Sequence, residues 1–335
     1  MATIKDVAKL AKVSPSTASR AMHDNPAISE KTKARVRKAM QTLHYAPDFN
    51  AQSLANKRSN AIGVILPVDH HEIFTNPFFL KVLRGISEAC YHAQAMVNLA
   101  TGSSQAELLH SIDIMVTQGM IRRFIVLYSE QNDPILLKLR QLDAQYVMIG
   151  KPYQLVNETP YVDNDNILAG SDAAQFLVNH GHKNICFVYN DLKKMVQNDR
   201  MLGYQRVMME NGLLINSFEL PAQEYPGGRQ LVIQYLTQHP EITAFETVDD
   251  MLGLRIQQVL RSAKMVTDRQ VSIIGFNNSV YSEAAHPALT SVEVFPRRLG
   301  NEAAKIAVSL QMSENLSTKL IVPHQIIERH SVATV

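Results

Sequence analysis

Hydroxyl side chains and one guanidinium lie close together near the start of the chain, between Ser14 and Arg20. Hydroxyl groups bond phosphate oxygens, and a guanidinium can bind guanine bidentately, with about 1–3 kcal/mol of discrimination against other bases. No serine or cysteine of the chain stands in a nucleophile-elbow motif, and no glycine-rich phosphate loop follows a strand pattern. These residue types therefore favour contact with a DNA major groove over catalysis.

Two short helices joined by a tight turn are predicted to position these side chains, over residues 3–22. Ser14 suits the N-cap of the second helix and Pro15 its first position, where the missing N–H costs nothing. Taken alone, the pattern is equally compatible with an ordinary helical hairpin whose polar face is solvated. Apolar residues at helical spacing form the inward faces: Ile4, Val7, Ala8, Ala11, Ala18 and Ala21.

A third helix is expected from its cap, Ser29, to about residue 44, with Lys33 among the basic residues on its outside. Tyr45-Ala46-Pro47 ends it, and Asp48 can cap a further short helix to about residue 56. A helix this short is marginal alone in water. It therefore needs a partner, which a second copy in a DNA minor groove would supply.

The charge of the chain is unevenly distributed. Residues 1–60 carry a formal charge of +7, and the remainder −5, of a total of +2. A basic head on a mildly acidic body indicates a polyanionic partner for the head alone. No apolar run reaches the roughly 18 residues of a membrane span and no signal segment precedes the head, so a cytoplasmic protein is expected.

From Ala61 onward, buried apolar runs alternate with amphipathic segments in two series, which predicts two lobes built on doubly wound parallel α/β sheets. The predicted helices cover residues 77–92, 104–118, 134–142, 166–180, 199–212, 227–239 and 249–263. The predicted strands, after the run AIGVILP, cover residues 95–100, 124–128, 146–149, 184–189, 244–248 and 271–276.

Several motifs carry a resemblance over most of the chain. TIKDVAKLA, VSPSTASRA, NPAISEKTKARVRKA, LHYAP and NAQSLA make the first part similar to the DNA-binding head of the LacI/GalR family of bacterial transcription regulators. NPFF, LRGIS, VDNDN and RMLGY extend the resemblance into the body, where the chain looks most like the maltose-operon repressor subgroup.

The resemblance implies a helix-turn-helix head at residues 1–47, a hinge helix and linker at 48–60, and a body at 61–335 like a periplasmic sugar-binding protein. Within the body, one lobe is expected to take about 61–162 plus 293–320. The other is expected to take about 163–292 plus 321–335. A homodimer without a cofactor is implied. No metal site is expected, because the three adjacent residues of His70-His71-Glu72 cannot all face one ion from a regular element and no further ligand pattern stands nearby.

The resemblance also implies roles for residues of the head. Pro15, Ser16 and Arg20 should face base edges, and Leu54 should be an apolar wedge between base pairs in the minor groove. Lys12 stands where the turn often has glycine, which predicts modest strain if its φ is positive. Phosphate contacts are expected from Thr3, Ser14, Thr17, Ser19 and Asn25.

Polar and aromatic residues just past predicted strand ends make up the candidate effector site, because ligands of doubly wound sheets bind at the carboxyl ends of strands. Asp163 and Asp165 lie near an expected crossover and either line the cleft or lock it. One of the two neighbouring phenylalanines is expected to be a core residue. The candidates are Asn76, Phe78, Phe79, Lys151, Arg200, Asp249 and Asn277.

The residues and the resemblance together predict a DNA-binding repressor and not an enzyme. The resemblance further implies that a small sugar, maltose or a maltodextrin, controls its operator affinity. Two alternatives within the class stay open, namely a different sugar and a phosphoprotein corepressor. A plain sugar-binding protein without a regulatory role is a further alternative, but it would have a secretion signal and no basic head.

Overall fold

The computed structural model describes residues 2–22, 24–45, 59–68, 73, 75–221, 227–262, 271–310 and 318–335. The chain forms two compact units, Met1–Ser59 and Asn60–Val335. The predicted hinge at 48–56, with Leu54, and the segment His70-His71-Glu72 lie outside the described residues.

The head consists of helices α1 (Ile4–Ala11), α2 (Pro15–Met22) and α3 (Glu30–Thr42). The predicted inward residues pack together with Val36 and Ala39, so the apolar pattern is confirmed. Lys12 ends α1 in the left-handed region, at φ 52° and ψ 50°, as predicted for a position that favours glycine. Lys33 was predicted on the outside, but it is buried and its ammonium lies 2.8 Å from Glu30. Its apolar stem is therefore covered while its charge is neutralised by an exposed partner.

The body contains two six-stranded sheets, and the predicted fold class is confirmed. The first sheet has the order β11-β5-β4-β3-β1-β2 and the second β12-β10-β9-β8-β6-β7. All neighbouring strands are parallel except β12, which pairs antiparallel with β10. The strands are β1 (Ala61–Ile65), β2 (Met96–Ala100), β3 (Arg123–Val126), β4 (Gln145–Ile149), β5 (Tyr161–Asn164), β6 (Ile185–Tyr189), β7 (Asn216–Glu219), β8 (Ala244–Thr247), β9 (Ser272–Phe276), β10 (Thr290–Glu293), β11 (Lys319–Val322) and β12 (Gln325–Ile327).

Helices cover the faces of both sheets and bury them in apolar clusters. They are α4 (Pro77–His92), α5 (Gln105–Thr117), α6 (Pro134–Gln141), α7 (Asn166–Asn179), α8 (Met195–Glu210), α9 (Gly227–Gln238), α10 (Asp250–Ser262), α11 (Val280–Ala284) and α12 (Pro296–Ser309).

The chain passes between the sheets after Asn164, after Glu293 and after Val322. As a result, α7 follows a strand of the first sheet but packs on α8 in the second lobe, and α12 packs on α4 in the first. Both crossings are close. A Cβ at Gly85 of α4 would lie 1.9 Å from the Arg297 carbonyl oxygen, and one at Gly203 of α8 would lie 2.0 Å from that of Ile167.

The start of α8 is a correction to the predicted pattern. The sequence suggested that Asp199 opens this helix, but α8 begins at Met195 after Lys194, whose side chain makes no capping bond. Asp199 and Arg200 therefore lie inside the helix and face inward, where both are buried. Short strands β5, β7, β10, β11 and β12 were also not predicted, because three or four residues give little periodicity, although β3 and β8, each of four residues, were predicted.

Candidate functional site

Helix α2 presents the candidate base-reading surface of the head. The Ser14 hydroxyl accepts a hydrogen bond from the Thr17 N–H at 3.1 Å, which fixes the start of the helix. Pro15 and Ser16 are exposed in its first turn. Arg20 is exposed and has no hydrogen-bond or ion-pair partner among the described residues. Its five donors are thus available to an external acceptor.

Some of the candidate phosphate-binding residues already have local partners. Thr3 caps α1, and its hydroxyl lies 2.7 Å from the Asp6 carboxylate, which holds the pKa of Asp6 below its usual value. The Asn25 side chain accepts from the Ala27 N–H at 2.9 Å. Ser19 is half-buried on α2. A phosphate role stays a prediction for each of them and for Thr17.

All seven candidate effector residues line one cavity in the body. It lies at the carboxyl ends of the strands of both lobes, where parallel sheets place their ligands. Its further lining includes Tyr128, Glu130, Asp163, Asn164, Asn166, Lys194 and Gln197. Asp165, the other carboxylate considered from the sequence, is exposed and caps α7 through the Leu168 N–H at 2.9 Å.

Arg200 lies at the centre of the polar lining and is 5% exposed. Its Nε donates to Asn166 at 3.1 Å and its Nη1 to the Val248 carbonyl at 2.6 Å. Its guanidinium carbon lies 4.1 Å from the centroid of the Phe276 ring. Burial lowers the pKa of Arg200 to about 10, against the opposing effect of Asp163 and other acids, so it stays charged at neutral pH. Nη2 has no partner among the described residues and can donate into the cavity.

Two acids and one lysine join the lobes beside Arg200. Asp163, at the end of β5, accepts from the Lys151 N–H at 2.9 Å and from Asn166 at 3.0 Å. The Lys151 ammonium lies 3.5 Å from Asp199 of the second lobe. Burial raises the pKa of Asp163 to about 6, and burial also raises that of Asp199 although Lys151 opposes it. The positive groups of the cavity therefore have negative neighbours.

The remaining candidates differ in how free their side chains are. Asn76 is the N-cap of α4 and accepts from the Phe78 N–H at 3.1 Å. Asp249 accepts from the Leu252 N–H at 2.8 Å, which ties it to the start of α10. Asn277 is buried, and its side chain has no partner within the described part of the chain. Its φ of 92° is a sparsely populated backbone conformation of the kind found at binding sites.

The two phenylalanines have different surroundings, as expected. Phe79 is buried in the first lobe. Phe78 is half-exposed and packs against the apolar clusters of both lobes, and the two rings meet edge to face at 5.5 Å. Of the two phenylalanines, Phe78 is therefore the one whose ring a ligand can contact.

A family model described as bacterial regulatory proteins, lacI family, matches residues 3–48. A model of a periplasmic binding protein-like domain matches residues 174–332. Over 337 residues the chain is 32% identical to the HTH-type transcriptional regulator MalR of Streptococcus pneumoniae, covering 98% of this chain and 99% of that protein. This chain belongs to the LacI family of bacterial regulatory proteins.

Full-length relatives support the maltose-operon repressor subgroup as well. The regulator MalR of Staphylococcus xylosus is also 32% identical, over 100% of this chain and 99% of that protein. The chain is therefore a LacI-family transcriptional repressor with a sugar-binding type of domain, and not an enzyme. Among the described residues, no helix is long and apolar enough to cross a membrane.

Solved structures share the fold of this LacI-family member. The lac repressor dimer bound to operator and the anti-inducer ONPF matches with a TM-score of 0.78 and 19% identity over 99% of both chains. A complex of the transcriptional regulator CelR with cellobiose matches with a TM-score of 0.73 and 24% identity over 99% of this chain and 100% of that chain.

Sequence reasoning missed several acids of this repressor, among them the deeply buried Glu246. Glu246 lies in the middle of β8, in register with Phe187 and Ile274, and is fully buried. Neither carboxylate oxygen has a hydrogen-bond partner in the structure as described. Burial raises its pKa well above the usual value although Arg200 opposes this. No motif surrounds Glu246, so only the apolar pattern of the strand could have drawn attention to it.

Proposed function

We propose that this repressor binds a neutral sugar, maltose or a maltodextrin, in the cleft of its body, and that the sugar lowers its affinity for operator DNA. The observation that carries the proposal is the cavity itself. It combines an aromatic face at Phe78 with free donors and acceptors at Arg200 and Asn277, next to paired charges such as Lys151 and Asp199. Balanced charges favour a neutral polyol over a sugar phosphate, which would need a cationic excess.

On the DNA side, Arg20 is the residue that we propose reads a base edge, with Pro15 and Ser16 beside it. It is exposed and has no partner within the described ranges of the chain, which matches a group whose partner is a large external ligand. Phosphate contacts from Thr3, Ser14, Thr17, Ser19 and Asn25 would set the register of the head on the duplex. Leu54 as a minor-groove wedge belongs to the same proposal.

A homodimer is part of the proposal because the first lobe exposes an apolar surface next to a sheet edge. Leu80 and Tyr91 of α4 are exposed, as are Met96 and Leu99 of the edge strand β2. A second copy would cover them and would bring two heads to a two-fold symmetric operator. Sugar binding and operator binding must then weaken each other by the same factor.

The test uses the full chain and an operator selected from a pool of random duplexes. Maltose and maltotriose should raise the midpoint of thermal unfolding by roughly 5 °C at about a hundredfold excess over the dissociation constant. They should also weaken operator binding. Cellobiose and ribose serve as matched controls. A response to cellobiose alone would transfer the proposal to a different sugar, and no response to any sugar would refute sugar control.

A further inference from the structure

Asn278 directly follows the candidate ligand residue Asn277 and is hydrogen-bonded to residues of both lobes. Its φ is 42°, so two left-handed asparagines stand in succession. Every polar atom of Asn278 is bonded. The N–H donates to the Ser291 hydroxyl at 3.0 Å, and Nδ2 donates to Glu293 at 2.9 Å. Oδ1 accepts from Arg329 at 2.6 Å.

The last polar atom of Asn278, its carbonyl oxygen, leads to the other lobe. It accepts a hydrogen bond from the Lys81 ammonium at 2.9 Å, and Lys81 belongs to α4. A second hydrogen bond also joins the two lobes. The Tyr281 hydroxyl donates to the Thr75 carbonyl oxygen at 2.8 Å. Lys81 is half-buried and is not among the residues that line the cavity. It is therefore placed to hold the lobes without touching a ligand.

Asn278 is also bonded to the segment in which the chain crosses back to the first lobe after Glu293. Glu293, which holds Asn278 through one oxygen, accepts from the Phe295 N–H at 2.6 Å through the other. Phe295 has a left-handed φ of 52° and directly precedes α12, which packs on α4. Asn278 is thus bonded on one side to α4 and on the other to the segment that returns the chain to the first lobe.

We infer that Lys81 is a positioning residue that transmits ligand occupancy at Asn277 to the first lobe, an inference that rests on the proposed sugar control. Asn277 and Asn278 share a peptide unit. Every polar atom of Asn278 is hydrogen-bonded, so Asn278 cannot rotate without breaking one of these bonds. A ligand that moves Asn277 therefore shifts the position of the Asn278 carbonyl group that Lys81 binds. The bond from Lys81 then favours one arrangement of α4 over another, and α4 carries the apolar surface proposed for the dimer.

The first measurement needs no sugar. In the full chain, Lys81→Met keeps the apolar stem but removes the donor, so amide hydrogen exchange in residues 75–82 and 277–284 should become faster together, by roughly tenfold. Lys81→Arg retains a cationic donor and should restore slow exchange. Lys138→Met is the matched control, because Lys138 pairs with Asp113 inside the first lobe. Unchanged exchange in Lys81→Met would overturn the inference.

The second measurement is the coupling. Maltose should weaken operator binding of the natural chain by a factor within roughly 5–150, and this factor should fall toward one in Lys81→Met and recover in Lys81→Arg. A full coupling factor in Lys81→Met would also overturn the inference. If maltose leaves operator binding of the natural chain unchanged, the proposed effector is wrong, whereas the exchange measurement still decides the role of Lys81.

Discussion

On helix α2, Arg20 is exposed and has no partner among the residues that the structure describes, whereas Arg200 in the cleft is 5% exposed and is held by Asn166, by the Val248 carbonyl and by the Phe276 ring. The same side chain thus stands in two opposite states. A surface that binds a large polyanion can leave its cations solvated, because the partner brings the counter-charge. A site for a small ligand must fix its polar groups beforehand, since a small ligand cannot offset the cost of ordering them.

The largest expected effect concerns the buried arginine. Arg200→Met leaves Asp163 and Asp249 without their shared cation, so the free energy of unfolding of the body should fall by about 3–5 kcal/mol. Urea denaturation measures this, and sugar binding should be lost as well. Arg206→Met is the control on the same helix. Arg206 is exposed and pairs with the exposed Glu210, so a change within about 0.5 kcal/mol is expected.

Arg20→Ala tests the other half of the comparison. Stability should stay within about 0.5 kcal/mol, because the side chain is exposed and loses no bond to any residue that the structure describes. The difference in binding free energy between operator and random DNA should shrink by about 1–3 kcal/mol, as measured by titration at fixed salt concentration. Arg35→Ala, which removes an exposed cation from α3, should leave this difference unchanged. Full discrimination after Arg20→Ala would remove its base-reading role.

Glu246 sharpens the comparison, because it is a buried acid whose carboxylate oxygens have no hydrogen-bond partner among the described residues. Glu246→Met should raise the free energy of unfolding by about 1–3 kcal/mol at neutral pH. Burial raises the pKa of Glu246 in the folded state, so the folded chain holds a proton that the unfolded chain has released. Stability is therefore lost as pH rises above the unfolded value of about 4.3 toward the folded pKa.

The direction of this pH dependence can be measured. The advantage of Glu246→Met over the natural chain in urea denaturation should grow from pH 5 to pH 8. Asp163 and Asp250, whose pKa values burial raises to about 6, contribute a loss of the same sign between about pH 4 and 6 in both proteins. A destabilising Glu246→Met would show instead that the carboxyl group has a favourable partner.

Much of this contrast could be predicted from the sequence, and the reasons differ between residues. Arg20 was identifiable because a helix-turn-helix is local. The left-handed backbone at Lys12 was identifiable because the resemblance puts Lys12 where the turn often has glycine. Asn277 and Asp249 were identifiable because they follow strand ends. Asp163 was identifiable as a residue near an expected crossover, but Asn164 beside it was not identified, and Glu246 owes its burial to the two strands that flank β8. Such positions depend on long-range packing, which local spacing does not encode.

The smallest expected effect is on the head alone. Lys12→Gly removes the cost of holding a residue with a Cβ in the left-handed backbone region. It should therefore stabilise the head by up to about 1 kcal/mol. Calorimetry of the full chain would show the head transition at higher temperature. Lys9→Gly, in the helical part of α1, should lower it by a similar amount. Equal shifts of the same sign would mean that the backbone at Lys12 carries no strain.

Because the chain crosses between the lobes, α7 packs in the second lobe and α12 in the first, and this arrangement has a consequence for biosynthesis. The helix that completes the first lobe, α12, leaves the ribosome more than 200 residues after α4. At about 5–20 residues per second, α4 waits roughly 10–40 s with Gly85 and its apolar neighbours uncovered. The second lobe receives α7 before its own strands are made, but its edge strand β12 is synthesised after α12. Both lobes therefore wait for late segments of the chain, and α4, whose partner helix comes so much later, is where a chaperone would be needed.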